Sequence, residues 1–458
     1  MRNFDAIIIG AGQAGPSLAG RLNDAGMSVA IIERQFVGGT CVNTGCKPTK
    51  TLVASAYAMH TAQRGQDYGF TIEAPIKLDM RAVAARAAKV VLDSRASNET
   101  WLSGMANVKL IRGHARFDGP RSVIVNGERL AAPQIFINVG GRAAVPDMPG
   151  LQDVPYMTNT EMVALETLPT HLIVVGGSYI GLEFAQMYRR FGAQVTVVER
   201  MDRLIPREDH DVSAGVREIL EAEGVTVLTG AEHVAFHKHP NGIAVSLDDA
   251  DAIPAIVGSH VLVATGRRPN TDDLGLERAG IFCDDRGYIK VDDQLQTSVR
   301  GVWALGDCNG RGAFTHTAYN DYEIVAANLL DGENRRVSDR IPGYALFIDP
   351  PLARVGLTDA EAEKTGRPLL RSKRAMTRVG RAVEKGETKG FMKIVADAQT
   401  KQILGAAILG TGGDEAIHGI LDMMSAEQPV DELRWSVPIH PTVSELIPTL
   451  LIDLAPAA

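Results

Sequence analysis

The chain has 458 residues, of which 45% are hydrophobic and 22% are charged, and its net charge is −8 at pH 7. Because domains of ~100–200 residues are typical, this length predicts a protein of several domains. The negative net charge gives no sign of a basic surface for nucleic acid. No apolar run reaches the ~20 residues that a membrane span requires. The N-terminus lacks a signal-peptide pattern. We therefore expect a cytoplasmic protein with small-molecule partners and no nucleic-acid or membrane partner.

The chain opens with a nucleotide-binding pattern. An apolar strand at 6–9 leads into a glycine turn and a helix, and a second strand at 28–32 ends at Glu33. The glycines of the turn are Gly10, Gly12 and Gly15. They allow the backbone to approach a pyrophosphate at a helix N-terminus, where free N–H groups favour anions. Glu33 is predicted to bind a ribose hydroxyl.

Two cysteines, Cys41 and Cys46, follow this unit directly and are separated by four residues. A zinc site would need two more Cys or His ligands at short spacing, so zinc is a poor interpretation. Two buried structural thiols are the alternative, although persistent disulfides are rare in a chain of cytosolic character. We interpret the pair as a redox disulfide beside a flavin. Cys283 and Cys308 have no motif partner.

The nucleotide-binding pattern returns at a constant offset of 166 residues. Gly10, Gly15 and Glu33 correspond to Gly176, Gly181 and Glu199, while Ser178 replaces the middle glycine. Two such sites imply two nucleotides, and FAD with a nicotinamide cofactor is the pair that a neighbouring disulfide needs as an electron supply. The alternative is that one site has decayed to scaffold.

Glu199 also bears on the choice of nicotinamide cofactor. An acidic residue at this position accepts the 2′-hydroxyl of NAD and repels the 2′-phosphate of NADP, which favours NADH. Arg200 and Arg203 lie just beyond it and are able to clamp a phosphate, so NADPH stays open as an alternative.

A histidine near the C-terminus is the candidate acid–base group. His440 precedes Pro441, and Glu445 follows four residues later. Imidazole titrates close to neutral pH and suits proton transfer to a leaving thiolate. Pro441 excludes helical conformation at the preceding residue and is expected to open the next helix, with Glu445 orienting the ring from its first turn. A purely structural histidine is the alternative.

The order of these motifs resembles the class I pyridine nucleotide–disulfide oxidoreductases, the family of glutathione reductase, dihydrolipoamide dehydrogenase and mercuric reductase. Further shared runs are 264–271 and 301–307. The resemblance implies an α/β fold with two Rossmann-like FAD- and NAD(P)-binding domains and a C-terminal α+β dimerisation domain. The implied boundaries are 1–145 and 270–335 for the FAD and central domain, 146–269 for the NAD(P) domain, and 336–458 for the interface domain.

The resemblance also implies roles for single residues. Electrons pass from NADH through FAD to the disulfide, where Cys46 faces the flavin and Cys41 is the interchange thiol. Lys50 pairs with Glu183 near the flavin, and Tyr179 occupies the place of an aromatic lid over the nicotinamide pocket, although core packing is its alternative. His440 serves the partner subunit's disulfide, so the enzyme is an obligate homodimer. The cofactor-binding residues implied in this way are Thr40, Lys50, Gly140, Tyr179, Gly266 and Asp307.

The predicted function is that of an FAD-dependent NAD(P)H oxidoreductase with a small-molecule or protein disulfide as acceptor, and no resident metal is predicted. The chain ends without the C-terminal cysteine pair with which mercuric reductases collect metal. A mercuric or copper reductase, with Cys41 and Cys46 as soft ligands for the ion, is the alternative. A non-enzymatic flavin redox sensor is the second alternative.

Overall fold

The computed structural model describes residues 1–247 and 255–456. These residues form two five-stranded parallel sheets and a six-stranded antiparallel sheet, together with smaller sheets. Helices cover the large sheets, so the predicted α/β fold class is confirmed.

The first parallel sheet carries the first glycine turn. Its strands in spatial order are Val302–Ala304, Gln134–Ile137, Ala6–Ile9, Val29–Glu33 and Val108–Arg112. Every residue of the central strand is buried, as expected for a parallel sheet covered on both faces. Helix Ala14–Asp24 follows the glycine turn and packs beside helix Thr315–Leu330. The sheet is thus built from two distant segments of the chain.

The second parallel sheet carries the second turn. Its strands are Tyr156–Met157, His260–Val263, His171–Val175, Gln194–Val198 and Thr226–Leu228. Helices Tyr179–Phe191 and His210–Ala222 cover one face. The other face packs against a small antiparallel sheet formed by Val234–His239, Gly242–Leu247 and Ile256–Gly258. Because both faces are covered, the carboxyl ends of the parallel strands and the second turn lie together at one edge of the sheet.

The C-terminal sheet is antiparallel. Its strands in spatial order are Gly343–Leu346, Leu352–Gly356, Ile403–Leu409, Phe391–Asp397, Leu369–Ala375 and Ala455–Pro456. Helices Gly413–Ser425 and Ile447–Ile452 pack on it through a shared apolar cluster. This agrees with the α+β domain that the family resemblance implies.

The remaining elements connect these layers. Helix Cys46–Gln63 packs against both Met80–Ser103 and Tyr179–Phe191, which brings the cysteine region against the second sheet. The pair Gly141–Ala143 and Arg267–Pro269 links the two nucleotide-binding regions. A further small sheet contains Arg2–Asn3, Glu128–Ala131, Ser122–Val125 and Arg116–Gly119. Within residues 1–247 and 255–456, no helix is long and apolar enough to cross a membrane.

Candidate active site

A cleft of about 2060 Å³ runs along both glycine turns and past both cysteines. The predicted site residues that line it are Gly10, Gly12, Glu33, Thr40, Cys41, Cys46, Lys50, Gly140, Gly176, Tyr179, Glu183, Glu199, Gly266 and Asp307. Gly15 and Gly181 lie just behind the turns, near the start of the helices that follow. His440 and Glu445 lie outside this cleft, elsewhere on the same chain.

Both turns make the close backbone approaches that a dinucleotide requires. Gly10 has φ +103°, and a Cβ there would lie 2.2 Å from the carbonyl oxygen of Asn138. At Gly176, with φ +117°, the corresponding distance to a carbonyl oxygen is 2.4 Å. A Cβ at Gly15 or Gly181 would lie 2.4 Å or 2.0 Å from the carbonyl of the first glycine of its own turn. Because side chains are excluded, backbone N–H groups at each helix start stay open to a pyrophosphate, and both turns fit a dinucleotide.

The two acidic residues repeat the same hydrogen bonds. Glu33 accepts from the N–H of Ala11 at 2.9 Å and from the N–H two residues after itself at 2.7 Å. Glu199 accepts from Gly177 at 2.6 Å and again from the N–H two residues on at 2.7 Å. Both carboxylates are buried apart from the edge that lines the cleft. The offset of 166 residues seen in the sequence is therefore repeated in the hydrogen bonding.

The two candidate redox cysteines are free thiols that hydrogen-bond to each other. Cys46 is the first residue of helix Cys46–Gln63, and its Sγ lies 3.3 Å from the hydroxyl of Thr315. The hydrogen bond from Cys41, helped by Thr315 and by the charge of Lys50, lowers the pKa of Cys46 to about 6. The same bond raises the pKa of Cys41. The surroundings of the pair therefore favour the thiolate form at Cys46 and the protonated form at Cys41.

Lys50 joins this pair to the second nucleotide-binding region. It lies one helical turn after Cys46, and its Nζ is 2.7 Å and 2.8 Å from the two carboxylate oxygens of Glu183. Glu183 is 5% exposed and also accepts the N–H of Phe347 at 3.0 Å. The Lys50 ammonium lies 4.6 Å from the centre of the Phe347 ring. The contact implied by the family resemblance is thus present, and it links three parts of the chain.

Tyr179 lies in an aromatic cluster at the edge of the cleft. It begins helix Tyr179–Phe191, and its ring meets those of Phe314 and Tyr344 nearly at right angles, with centroids 5.8 Å and 5.1 Å away. Burial raises the pKa of Tyr179 to about 12. Its hydroxyl therefore stays neutral at physiological pH.

Asp307 has a partner that sequence reasoning missed. Its carboxylate accepts two bonds from Arg267, at 3.0 Å and 3.2 Å. Arg267 also donates to the carbonyl of Gly141 at 2.7 Å, and Thr40 Oγ1 lies 3.5 Å from the same oxygen. Gly140 and Gly266 flank this region with φ +66° and +137°. These contacts fix Asp307 beside the first turn, where it can bind a polyol hydroxyl.

Thr315 and Phe347 were also missed. A threonine that opens a helix has no sequence pattern that marks contact with a cysteine. Cys308 is fully buried, and burial raises its pKa to about 12, which makes it unreactive.

His440 and Glu445 form the predicted pair on an exposed surface. The His440 Nδ1 donates to the Glu445 carboxylate at 2.8 Å, and the histidine side chain is 81% exposed. The expectation that Pro441 opens a helix is wrong, because a 3₁₀ turn, Ser444–Leu446, comes first and helix Ile447–Ile452 begins later. Glu445 reaches the ring from this 3₁₀ turn.

In the described part of the chain, no group of three or more His, Cys, Asp or Glu side chains is placed to hold a metal ion.

Comparisons with known proteins agree with this geometry. Residues 4–321 match the family "Pyridine nucleotide-disulphide oxidoreductase", and residues 342–451 match the dimerisation domain of that family. The probable pyridine nucleotide-disulfide oxidoreductase RclA of Escherichia coli is 36% identical, with 97% of this chain and 98% of that protein covered. Mercuric reductase of Streptomyces lividans is 34% identical, with 97% and 94% covered.

Solved structures give the same result. The HOCl-induced flavoprotein disulfide reductase RclA from E. coli superposes with a TM-score of 0.90 at 35% identity, covering 98% of this chain and 99% of that one. Its Cu(II) complex gives a TM-score of 0.90 at 34% identity, with 99% of both chains covered. The chain therefore belongs to the pyridine nucleotide-disulfide oxidoreductase family and is a flavoprotein that uses FAD, NAD(P)H and a redox disulfide.

Proposed function

We propose that this protein is an NADH-dependent reductase that passes electrons through Cys41 and Cys46 to a disulfide substrate. The observation that carries the proposal is the continuous cleft that runs from Glu199, past Tyr179, to Cys46. Bound FAD supplies the two-electron transfer between the nicotinamide and the disulfide. A reducing compartment suits a disulfide that is re-reduced at each turnover, so a cytoplasmic location is part of the proposal.

The two thiols have different tasks. Cys46 is held as a thiolate by the donors and the charge around it, which suits the sulfur that stays next to the flavin. Cys41 keeps its proton, so its attack on a substrate disulfide requires a base. A histidine oriented by a carboxylate suits that task, because it can take the proton and later return it to the leaving thiolate.

The base is proposed to come from the second copy of a homodimer. The chain carries the dimerisation domain of the family. His440 is exposed and does not line the cleft of its own chain, and its neighbours Val437 and Ile439 are apolar side chains that are 94% and 79% exposed. Pairing of two chains would cover these side chains and bring the partner subunit's His440 to the thiols. We therefore place one active site at each of two equivalent subunit contacts.

NADH is the proposed reductant because Glu199 is fixed in place. Two backbone N–H groups hold its carboxylate at the end of the second strand, so it cannot turn away from a 2′-phosphate. Arg203 is occupied, since it donates to the carbonyl of Pro206 at 2.9 Å and contacts His210 at 3.2 Å.

Reduction of a metal ion is the second candidate. It is favoured by the relatives named mercuric reductase and by the solved Cu(II) complex of the E. coli flavoprotein. Thiolates are soft ligands that suit copper and mercury, and Cys46 lies exposed in the cleft. A metal ion needs no proton on leaving, so this reaction would depend less on His440 than disulfide exchange does.

The first experiment is an anaerobic titration of the holoenzyme with NADH, in parallel with NADPH. We expect NADH to produce a long-wavelength thiolate-to-flavin charge-transfer band after two electrons, and Cys46→Ser to abolish it. Cys283→Ser, a thiol outside the cleft, is the matched control. A flavin that bleaches without the band would refute the disulfide path. Turnover with disulfides and with Cu(II) or Hg(II) then decides between the two acceptors.

A further inference from the structure

A buried ion pair joins the second nucleotide-binding region to the C-terminal sheet. Arg354, on strand Leu352–Gly356, is 4% exposed and donates three hydrogen bonds to Glu208 at 2.5–2.9 Å. Glu208 is 3% exposed and lies in the loop before helix His210–Ala222. A two-pronged arginine–carboxylate contact is geometrically specific. It therefore fixes the position of the Glu208 carboxylate.

Further charges support the arginine side of this contact. Arg354 also donates to Asp209 at 3.0 Å, and Lys393 contacts Asp209 at 3.2 Å. Lys393 is itself buried and pairs with Asp211 at 3.0 Å and with Asp359 at 2.7 Å. Charges of both signs are paired throughout this network, which is what burial requires. The network therefore supports Arg354, and through it Glu208, with paired charges.

Tyr344 connects this network to the aromatic cluster. Its hydroxyl donates to the Glu208 carboxylate, and its ring stacks on that of Phe314 at 6.0 Å with an interplanar angle of 5°. Both rings meet Tyr179 at angles of 76° and 80°. Aromatic pairs favour such perpendicular contacts. The Tyr179 ring is therefore held by two parallel rings, one of which is fixed by a hydrogen bond to a buried charge.

The position of Tyr179 links the contact between Tyr344 and Glu208 to the reaction. Tyr179 and Glu183 are four residues apart and share one face of their helix. Glu183 binds Lys50, one turn from Cys46, while Tyr179 directly follows the second glycine turn. Tyr179 thus lines the same cleft as the second nucleotide turn and the thiols, in the place where the family resemblance implies an aromatic lid over the nicotinamide pocket.

We propose that Tyr344 is a positioning residue that, through Glu208, holds Tyr179 in its closed place and so opposes entry of the nicotinamide. The inference rests on the proposed function. The lid that the resemblance implies has to move to admit a nicotinamide, so whatever stabilises the closed ring weakens the apparent binding of the nucleotide. Loss of the Tyr344 hydroxyl keeps both rings and the ion pair but releases the tether.

The test is rapid anaerobic mixing of holoenzyme with NADH, followed by flavin absorbance, for wild type and Tyr344→Phe. We expect the apparent Kd for NADH to fall about tenfold, the effect of losing one hydrogen bond to a charged group. The limiting reduction rate should change much less. An unchanged or higher Kd in Tyr344→Phe would overturn the proposal.

Two further variants separate positioning from general stability. Tyr188→Phe removes a buried hydroxyl on the same helix, which donates to the carbonyl of Met162 at 3.1 Å, and should leave the Kd unchanged. In a Tyr179→Ala background, Tyr344→Phe should have no further effect, because the ring that it holds is gone. An equal Kd shift in that background would also overturn the proposal. These variants still test the role of Tyr344 if the proposed function is wrong. Flavin reduction is also measured with NADPH, and it does not require the charge-transfer band.

Discussion

The two nucleotide-binding turns share one backbone design and differ in what holds them. In the first turn, the carbonyl of Ala11 accepts from the N–H of Gly38 at 2.8 Å, and the Gln13 amide donates back to the Gly38 carbonyl at 3.0 Å. Gly38 leads directly into helix Gly39–Asn43, which carries Cys41. The first turn is therefore tied to the redox segment.

The second turn is held by a loop instead. The carbonyl of Gly177 accepts from the N–H of Ile205 at 2.9 Å, in the position that Gly38 takes in the first turn. Ile205 belongs to the loop that ends at Glu208, and the helix after the turn begins with Tyr179. The glycine turn alone therefore does not decide whether a nucleotide stays bound or exchanges. We expect a turn packed on the redox helix to retain its cofactor and a turn bordered by a movable ring to release it.

The largest effects are expected from Gly10→Ala and Gly176→Ala, which test whether the turns serve separate cofactors. Each new Cβ would lie 2.2 Å or 2.4 Å from a carbonyl oxygen and would displace its turn. We expect Gly10→Ala to purify without FAD. Gly176→Ala should stay yellow and lose reduction by NADH by at least about a hundredfold, the size of a strong overpacking penalty. Flavin absorbance and anaerobic NADH titration measure both outcomes.

Gly69→Ala is the control for backbone strain. Gly69 also has a positive φ, +82°, but a Cβ there would meet nothing within 4 Å. This variant should bind FAD and react with NADH as wild type does. A yellow Gly10→Ala, or a colourless Gly176→Ala, would show that the two turns do not serve separate cofactors.

The second largest effect is expected from the loss of His440, which lies outside both turns and is proposed to act on the disulfide substrate. His440→Ala should lower turnover with a disulfide substrate by about 10²–10⁴-fold, the usual contribution of an acid–base group. The rate of flavin reduction by NADH should stay the same, because neither turn contacts His440. His237→Ala, an exposed histidine outside the cleft, is the matched control. Full disulfide turnover in His440→Ala would refute its assigned role, and retained Cu(II) or Hg(II) turnover with lost disulfide turnover would support separate acceptor chemistries.

The repeat could be predicted from the sequence because both of its parts are local. A strand, a glycine turn and an acidic residue at a strand end lie within about 25 residues, the span of one dinucleotide fingerprint. The contact of Lys50 with Glu183 came only through the family resemblance, since 133 residues separate them.

Contacts between distant segments had no comparable signal. Cys46 and Thr315 are 269 residues apart, and Arg354 and Glu208 are 146 apart. Neither pair belongs to a periodic pattern, and only the packing of three layers brings them together. The error at Pro441 has a local cause: proline permits a helix to begin, but residues 441–443 form no helix before the 3₁₀ turn. The proposed domain boundaries and residue roles stay predictions.

A smaller effect is expected from Glu33 and Glu199, the acidic residues that accept the same hydrogen bonds in the two turns. Glu199→Gln should reduce the preference for NADH over NADPH by about tenfold, since one charged hydrogen-bond acceptor is lost. Glu33→Gln should leave this preference unchanged and weaken FAD retention instead. Apparent Kd values for both nucleotides, and FAD release on dilution, are the measurements. A change in cofactor preference in Glu33→Gln would contradict the assignment of the turns.

The last effect concerns the link between the first turn and the thiols. The hydrogen bond from Cys41 is the largest influence that lowers the pKa of Cys46, and the charge of Lys50 adds less. Because the thiolate is the form that gives the charge-transfer band, the band should be present above pH 6 and be lost as the pH falls through about 6. Lys50→Met should raise this midpoint by less than about one pH unit, as expected for one partly exposed charge.

The matched comparison for this titration is Cys41→Ala against Cys41→Ser. The alanine removes the donor and should raise the midpoint towards the ordinary thiol value of about 8.5, whereas the serine hydroxyl keeps a donor and should hold it low. A midpoint equal in both variants would show that Cys41 does not set the charge of Cys46. The stabilisation would then come from the helix start and Thr315, and the first turn would influence the thiols only by holding their helix in place.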